Sequence, residues 1–201
     1  LSIHKYFDAV DAFHVDEEPV LTEWEDKIAS AFTESVEMHK ISDVEVGCFL
    51  SSGVDSSYVS TYFAGQKTFT VGFDYGDRYN EIDFAKDLSE KIGLEHHYKV
   101  ISADEYWGNI RKVQYHMDQP LADASCIALY FVSKIASEYV KVVLSGEGAD
   151  ELFGGYRIYH EPSSLAGYQK LPRFLRRAAA AVAGAIPFDF KGKSFLIRAS
   201  K

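Results

Sequence analysis

Four hydroxyls, a glycine and a carboxylate fall within seven residues at Ser51-Ser52-Gly53-Val54-Asp55-Ser56-Ser57. The apolar, β-branched run ahead of them, starting at Val44, reads as a buried strand. Tyr58-Val59-Ser60-Thr61-Tyr62-Phe63 behind them reads as a helix. A strand, a small-residue turn and a helix start form a ready anion site. The first helical N–H groups lack intrahelical partners, and the helix dipole favours negative charge there. Ser51, Ser52, Ser56 and Ser57 add hydroxyl donors, and Gly53 lets a phosphate approach the backbone. Asp55 would repel a phosphate unless a cation lay between them, so it implies Mg²⁺ bridging to phosphate. The spacing from Ser52 to Asp55 also fits a helix capping box, but a cap needs one hydroxyl. No Gly-Lys-Ser/Thr follows, so this is not a Walker A loop.

A second stretch carries chemistry. Ser145-Gly146-Glu147-Gly148-Ala149-Asp150-Glu151-Leu152-Phe153-Gly154-Gly155-Tyr156 sets three carboxylates within five residues, among four glycines. A flexible acidic turn is the plain reading of such a loop. Against it, this stretch follows a strand, Lys141 to Leu144, and so lies on the same sheet edge as Ser51 to Ser57. A helix starting near Ala149 puts Asp150 in its first turn, able to share a Mg²⁺ with Asp55.

The elements that must position these loops alternate. Thr22 and Glu25 open a helix whose apolar face is Ile28, Ala29, Phe32, Val36 and His39. Lys67 to Phe73 is a second strand, and Asp74 to Asn80 a polar loop. Glu81 to Ile92 is a helix closed by Gly93, and Glu95 to Val100 a third strand. His96 and His97 are adjacent on that strand and point to opposite faces, so a shared metal is not expected. Ser102 caps a helix to about His116, with Tyr106, Ile110, Val113 and Met117 on one face. A loop over Asp118 to Ser125 leads to a helix from about Cys126 to Tyr139. The alternation predicts an α/β fold, a doubly wound and mostly parallel sheet with helices on both faces. Ligands in such sheets sit at the carboxyl ends of the strands, near the switch point.

Ser51-Ser52-Gly53-Val54-Asp55-Ser56 resembles the pyrophosphate loop (SGGxDS) of the N-type ATP pyrophosphatases, with Ser52 where the family usually has its first Gly. LSGEGADELFGGY, Leu144 to Tyr156, resembles the signature of the synthetase domain of glutamine-dependent asparagine synthetases. The resemblance extends over Leu21 to Pro162, including the segments at Val71-Gly72-Phe73 and Asp118 to Asp123. It implies an adenine nucleotide alpha hydrolase-like fold using ATP and Mg²⁺. It further implies that Phe49, Leu50 and Ser51 line the adenosine and α-phosphate site. Val71, with Gly72 beside it, would hold the adenine through its backbone. Ser145 and Gly146 would contact the nucleotide. Ser52, Gly53, Ser56 and Ser57 belong to the loop that holds the departing pyrophosphate, and Asp55 and Asp150 would hold Mg²⁺ and that pyrophosphate. Glu147 matches the catalytic residue that serves β-aspartyl-AMP formation and its attack by ammonia.

The implied reaction joins the side-chain carboxylate of aspartate to the α-phosphate of ATP, and ammonia then displaces AMP. A β-lactam synthetase-like enzyme is an alternative, but there a Tyr fills the role of Glu147. An RNA-thiolating or tRNA-lysidine ligase shares the loop; the acidic charge, the missing CxxC and the GEGADE stretch oppose it. The third alternative is a nucleotide-binding module inactive by itself. The resemblance implies a glutaminase domain with a nucleophilic Cys ahead of Leu1 and a catalytic Lys after Lys201. Neither lies in this sequence, so the chain alone is expected to bind nucleotide without completing synthesis.

The 201 residues suit one domain with an appendage: an arm over 1–20, a synthetase domain over 21–162 and a basic helical tail over 163–201. A net charge of −9 opposes nucleic acid held by bulk electrostatics. Cys48 and Cys126 stand apart in apolar surroundings, as in a reducing compartment. No stretch suits a membrane span or a signal peptide, so a cytoplasmic location is expected. After Pro162, eight basic residues face the single acid Asp189. Phe174, Leu175, Phe188, Phe190, Phe195 and Leu196 of this tail are expected to be exposed and to favour self-association, as in a homodimer.

Overall fold

The computed structural model describes residues 2–8, 10, 20–63, 66–76, 80–120 and 122–199. Parts of the expected arm and of the polar loop after Asp74, together with Leu121, lie outside the described residues. The chain divides into two compact units, Leu1–Gly146 and Glu147–Lys201.

The first unit is built on four parallel strands, β1 (Val46–Phe49), β2 (Lys67–Phe73), β3 (Glu95–Ile101) and β4 (Val142–Leu144), in the order β3-β2-β1-β4. Helix α1 (Leu21–His39) precedes β1. Helix α2 (Val54–Ser60), continued by a 3₁₀ turn at Thr61–Phe63, joins β1 to β2, and α3 (Ile82–Ile92) joins β2 to β3. Helices α4 (Ala103–His116) and α5 (Ser125–Ala136) carry the chain from β3 to β4. The first two crossovers move outward from β1, and the third returns past it. Right-handed crossovers therefore put α2 and α3 on one face and α4 and α5 on the other.

The side chains follow this split, because successive residues of a strand face opposite ways. Val46 and Cys48 of β1 pack with Val36, Val59 and Phe63. Phe49 and Phe69 pack with Val132, Ala136 and Val140, and Ile101 with Val113, Cys126, Ile127 and Phe131. The doubly wound sheet expected from the alternation is the fold observed.

Several boundaries differ from expectation. Helix α1 begins at Leu21 with Val20 as its cap, and no side chain caps it. Thr22 already lies inside the first turn, so the box with Glu25 does not form. Strand β1 starts at Val46, and Val44 stays outside it. Helix α5 ends at Ala136, because Glu138 and Tyr139 donate three residues back, to Ile135 and Ala136, and tighten the last turn. At Ser102 the expected cap forms in full: Ser102 Oγ accepts from Glu105 N at 3.2 Å, and Glu105 Oε2 accepts from Ser102 N at 3.2 Å.

The two histidines of β3 do face opposite ways. His97 pairs with Glu95 at 2.8 Å and stacks with Phe69 and Tyr139. His96 Nδ1 lies 3.1 Å from Thr68 Oγ1, while its Nε2 is buried without a partner among the described residues. Burial, then the charges of His97 and Lys86, pulls the His96 imidazole down to about 4. A depressed histidine favours the neutral form. Its contribution is therefore whole above the unfolded value of 6.5 and is lost as pH falls toward 4. After discounting for solvent at a half-buried site, denaturant titration should find about 1 kcal/mol less stability at pH 5 than at pH 7 from this residue. His96→Gln should flatten that part of the profile; an unchanged slope would contradict the assignment.

The second unit is helical, as the tail was expected to be: α6 (Ala149–Phe153), a 3₁₀ turn at Arg157–His160, α7 (Glu161–Gln169), α8 (Arg173–Ala185) and α9 (Lys193–Arg198). Helices α8 and α9 pair around Ala183 and Ala199. Arg176 Nη1 donates to Ala199 O at 3.0 Å, and Lys193 Nζ donates to Ile186 O at 2.7 Å. Phe174, Leu175 and Phe188 are exposed as expected. Phe190, Phe195 and Leu196 are half-buried instead, Phe195 with its ring against Tyr168.

Candidate nucleotide site

The strand order reverses between β1 and β4, so the crevice that such a sheet offers a ligand opens at their carboxyl ends. Ser51 to Ser57 leaves β1 there, and Ser145-Gly146 leaves β4 there.

The hydroxyl-rich turn is not a capping box. Gly53 takes the cap position of α2 with extended backbone, and no side chain caps the helix. The hydroxyls brace the loop instead. Ser51 Oγ and Ser56 Oγ are 2.7 Å apart, and Ser56 Oγ accepts from Ser51 N at 3.1 Å. Ser51 Oγ accepts from Gly53 N at 3.1 Å, and Ser57 Oγ donates to Gly53 O at 2.7 Å. Ser52 is exposed, and its N–H donates to Glu81 Oε2 at 3.4 Å. Asp55 sits half-buried in the first turn of α2, and its carboxylate makes no hydrogen bond or ion pair with another described residue.

Gly146 is seated on this helix start. A β-carbon there would lie 2.7 Å from Ser56 N, 2.9 Å from the carbonyl carbon of Asp55 and 3.0 Å from Asp55 Cβ. The last residues of the first unit are thus pressed onto the first turn of α2. Two segments separated by some ninety residues of sequence are brought together, as the shared sheet edge required.

Phe49 and Leu50 play a different part from side-chain lining. Leu50 is 2 % exposed and Phe49 packs in the core beneath α5. Leu50 N donates to Phe69 O at 2.9 Å, and its carbonyl accepts from buried Thr70 Oγ1 at 2.6 Å. These two residues fix where Ser51 starts. Val71 also packs inward, toward α5, which leaves its backbone for any ligand. Gly72 seats the next helix: a β-carbon there would meet Ile82 Cδ1 at 2.8 Å and Asn80 Oδ1 at 3.0 Å.

A cleft of about 700 Å³ lies at the carboxyl ends of β2 and β3, with Phe73, Asp74, Tyr106 and Trp107 in its lining. None of the anticipated site residues lines it.

In the second unit, α6 begins at Gly148 (φ 94°) and ends at Gly154 (φ 68°), and both positive φ values favour glycine. Asp150 and Glu151 occupy the first turn, as expected. The carboxylate of Asp150 is folded against the backbone of Gly155, where a side chain would collide with it. Glu151 accepts from Tyr156 Oη at 2.9 Å. That bond, then burial, then the charges of Glu151, Asp150 and Glu147, pushes the Tyr156 phenol up to about 12. Tyr156 therefore stays a donor throughout the physiological range.

Among the described residues, no group of three or more His, Cys, Asp or Glu is arranged to hold a metal ion by itself. At the start of α2 the donors are the Asp55 carboxylate and the serine hydroxyls. A carboxylate of that kind suits a hard cation completing its shell with phosphate oxygens.

Sequence reasoning missed Glu81, Gly155 and Tyr156. The signal for Glu81 was available: it closes the loop after β2, and that loop must start at the same sheet edge as the serines. The signal for Gly155 and Tyr156 was weaker, since their partners Asp150 and Glu151 emerge only from the tight fold of α6.

The asparagine synthase family model matches residues 27–195. The chain is 45% identical over 194 residues to the glutamine-hydrolysing asparagine synthetase 1 of Bacillus subtilis, covering 92% of this chain and 30% of that protein. It is 44% identical over 179 residues to a putative glutamine-hydrolysing asparagine synthetase of Mycobacterium bovis, covering 87% and 27%. A glutamine-hydrolysing asparagine synthetase of Brassica oleracea is 34% identical over 167 residues, covering 74% and 28%. The chain spans about three-tenths of the length of these relatives.

Proposed function

This chain belongs to the asparagine synthase family, and on that footing we propose that it is the nucleotide-handling part of a ligase that amidates aspartate to asparagine at the expense of ATP. In the first step an aspartate side-chain oxygen attacks the α-phosphate of ATP, forming β-aspartyl-AMP and releasing pyrophosphate. In the second, ammonia attacks the activated carbonyl and AMP leaves. Ammonia would come from the glutaminase activity named in the full-length relatives.

The observation that carries this reading is the seating of Gly146 on the first turn of α2. It supports one phosphate site built from both signature loops, at the switch point of the sheet. Ser51, Ser52, Gly53, Ser56 and Ser57 would receive the departing pyrophosphate through N–H and O–H donors. Ser145 and Gly146 would border the α-phosphate, and the backbone of Val71 and Gly72 the adenine. Asp55 and Asp150 would hold Mg²⁺, which when bound neutralises charge on the phosphates. Glu147 would take a proton from the incoming ammonium. Holding the two reactants in line supplies much of the rate.

The domain assignment keeps an arm over 1–20, a synthetase domain over 21–162 and a basic helical tail over 163–201. Among the described residues no helix is long and apolar enough to cross a membrane. The free, buried Cys48 and Cys126 suit a reducing cytoplasm. Self-association as a homodimer through exposed Phe174 and Phe188 belongs to the same reading.

The test is exchange of labelled pyrophosphate into ATP. The expected result is exchange that requires both aspartate and Mg²⁺. Exchange indifferent to aspartate would move the substrate to another carboxylate. ATP binding without any exchange would leave only a nucleotide-binding module.

A further inference from the structure

We propose that Glu81 makes the Ser51–Ser57 loop select nucleotide carrying a divalent cation over metal-free nucleotide. This rests on the phosphate-site reading above and adds a residue to it. Glu81 stands immediately before α3, twenty-nine positions from Ser52 in sequence, yet its Oε2 accepts the Ser52 N–H at 3.4 Å. That N–H belongs to the turn that would receive a phosphate oxygen. A carboxylate oxygen therefore already occupies the position of an anion.

The placement is built rather than casual. Asn80 Oδ1 accepts from Ile82 N at 3.2 Å, and Glu81 O accepts from Ala85 N at 3.1 Å. Ile82 is 5 % exposed and its side chain covers Gly72, where any added β-carbon would meet it at 2.8 Å. The backbone of Glu81 is thus anchored at the end of β2, and only its side chain reaches toward the turn after β1. Among the described residues, that side chain's hydrogen-bond partner is Ser52 of the loop.

The consequence is electrostatic. A metal-free triphosphate entering this turn meets the carboxylates of Glu81 and Asp55 with nothing between like charges, and must displace Glu81 from Ser52 N–H. A cation-bound triphosphate brings positive charge with which a displaced carboxylate can pair, directly or through water. The neutral isostere Glu81→Gln keeps the size and the ability to accept from Ser52, and removes the repulsion.

The experiment is equilibrium dialysis of the protein with ATP in excess Mg²⁺ and with ATP in EDTA. The ratio of the two dissociation constants is the readout. Wild type is expected to bind MgATP at least tenfold more tightly than metal-free ATP. Glu81→Gln should narrow the ratio at least fivefold by tightening the metal-free complex. Glu90→Gln, on the exposed side of α3, should leave the ratio as in wild type. An unchanged ratio in Glu81→Gln, or equal weakening of both complexes, overturns the proposal while leaving the phosphate site standing. Wild type that binds neither form overturns the site and, with it, this inference.

Discussion

In the full-length enzyme, replacing Glu147 by Gln is expected to lower asparagine formation at least about 100-fold, while MgATP affinity stays within about threefold. Glutamine fills the same volume but cannot take a proton. At neutral pH the nitrogen donor is mostly ammonium, which has no lone pair with which to attack the acyl-adenylate. A carboxylate beside that carbonyl converts it to ammonia on site, and such proton transfers typically contribute 10²–10⁴ in rate. Product analysis with ammonia as the nitrogen source, alongside nucleotide binding, separates the two effects. Retained synthesis would remove Glu147 from the mechanism.

The second large effect belongs to Gly146. Gly146→Ala should weaken MgATP binding by roughly 10- to 100-fold, because a misplacement of about 1 Å in a positioned site can cost about 10²-fold. The atoms that an alanine methyl would strike are Ser56 N and the carbonyl carbon and Cβ of Asp55. None is the free end of a flexible side chain, so the first turn of α2 must shift or Gly146 must lift from it. Either movement changes where the N–H groups of the loop point. A stability loss of about 1–3 kcal/mol should accompany it, as for other overpacked sites. Gly108→Ala is the control. That glycine lies within α4 with open space around its Cα, and alanine there should hold or raise stability by up to about 1 kcal/mol. Unchanged MgATP affinity in Gly146→Ala would mean that the contact with α2 is incidental.

The architecture was legible because local and global preferences agree. Phe69 and Phe73 alternate with Thr68, Thr70 and Gly72 along β2, and the two sets meet different helices. Gly93 closes α3 with φ 73°, as its place after an apolar periodicity required. The same logic misled at helix starts. A Ser/Thr-x-x-acid spacing forms a true cap at Ser102 and fails at Thr22, where Val20 already holds the extended backbone that defines a cap. At Ser52 the spacing fails again, since Gly53 takes the cap position and the hydroxyls turn to one another. Spacing alone does not say which residue is the last extended one.

The meeting of the two loops was legible for a related reason. Parallel strands force their carboxyl-end loops onto one edge, so two signature loops after β1 and β4 had to converge. What stayed hidden depended on single close approaches: Gly146 against α2, Gly155 against Asp150, Glu81 across to Ser52. Those follow from how tightly elements pack, which composition and periodicity do not carry. Phe49 and Leu50 illustrate the converse, since their apolar character sends them into the core and leaves positioning as their service to the loop.

The most direct test of a phosphate site at the β1–β4 junction is a crystal structure of the protein with Mg²⁺ and a non-hydrolysable ATP analogue. The expected density puts the β- and γ-phosphates within hydrogen-bonding reach of Ser51, Gly53, Ser56 and Ser57, with the cation at Asp55. A triphosphate bound instead in the aromatic cleft beside Trp107, or on the basic helices after Pro162, would contradict the account.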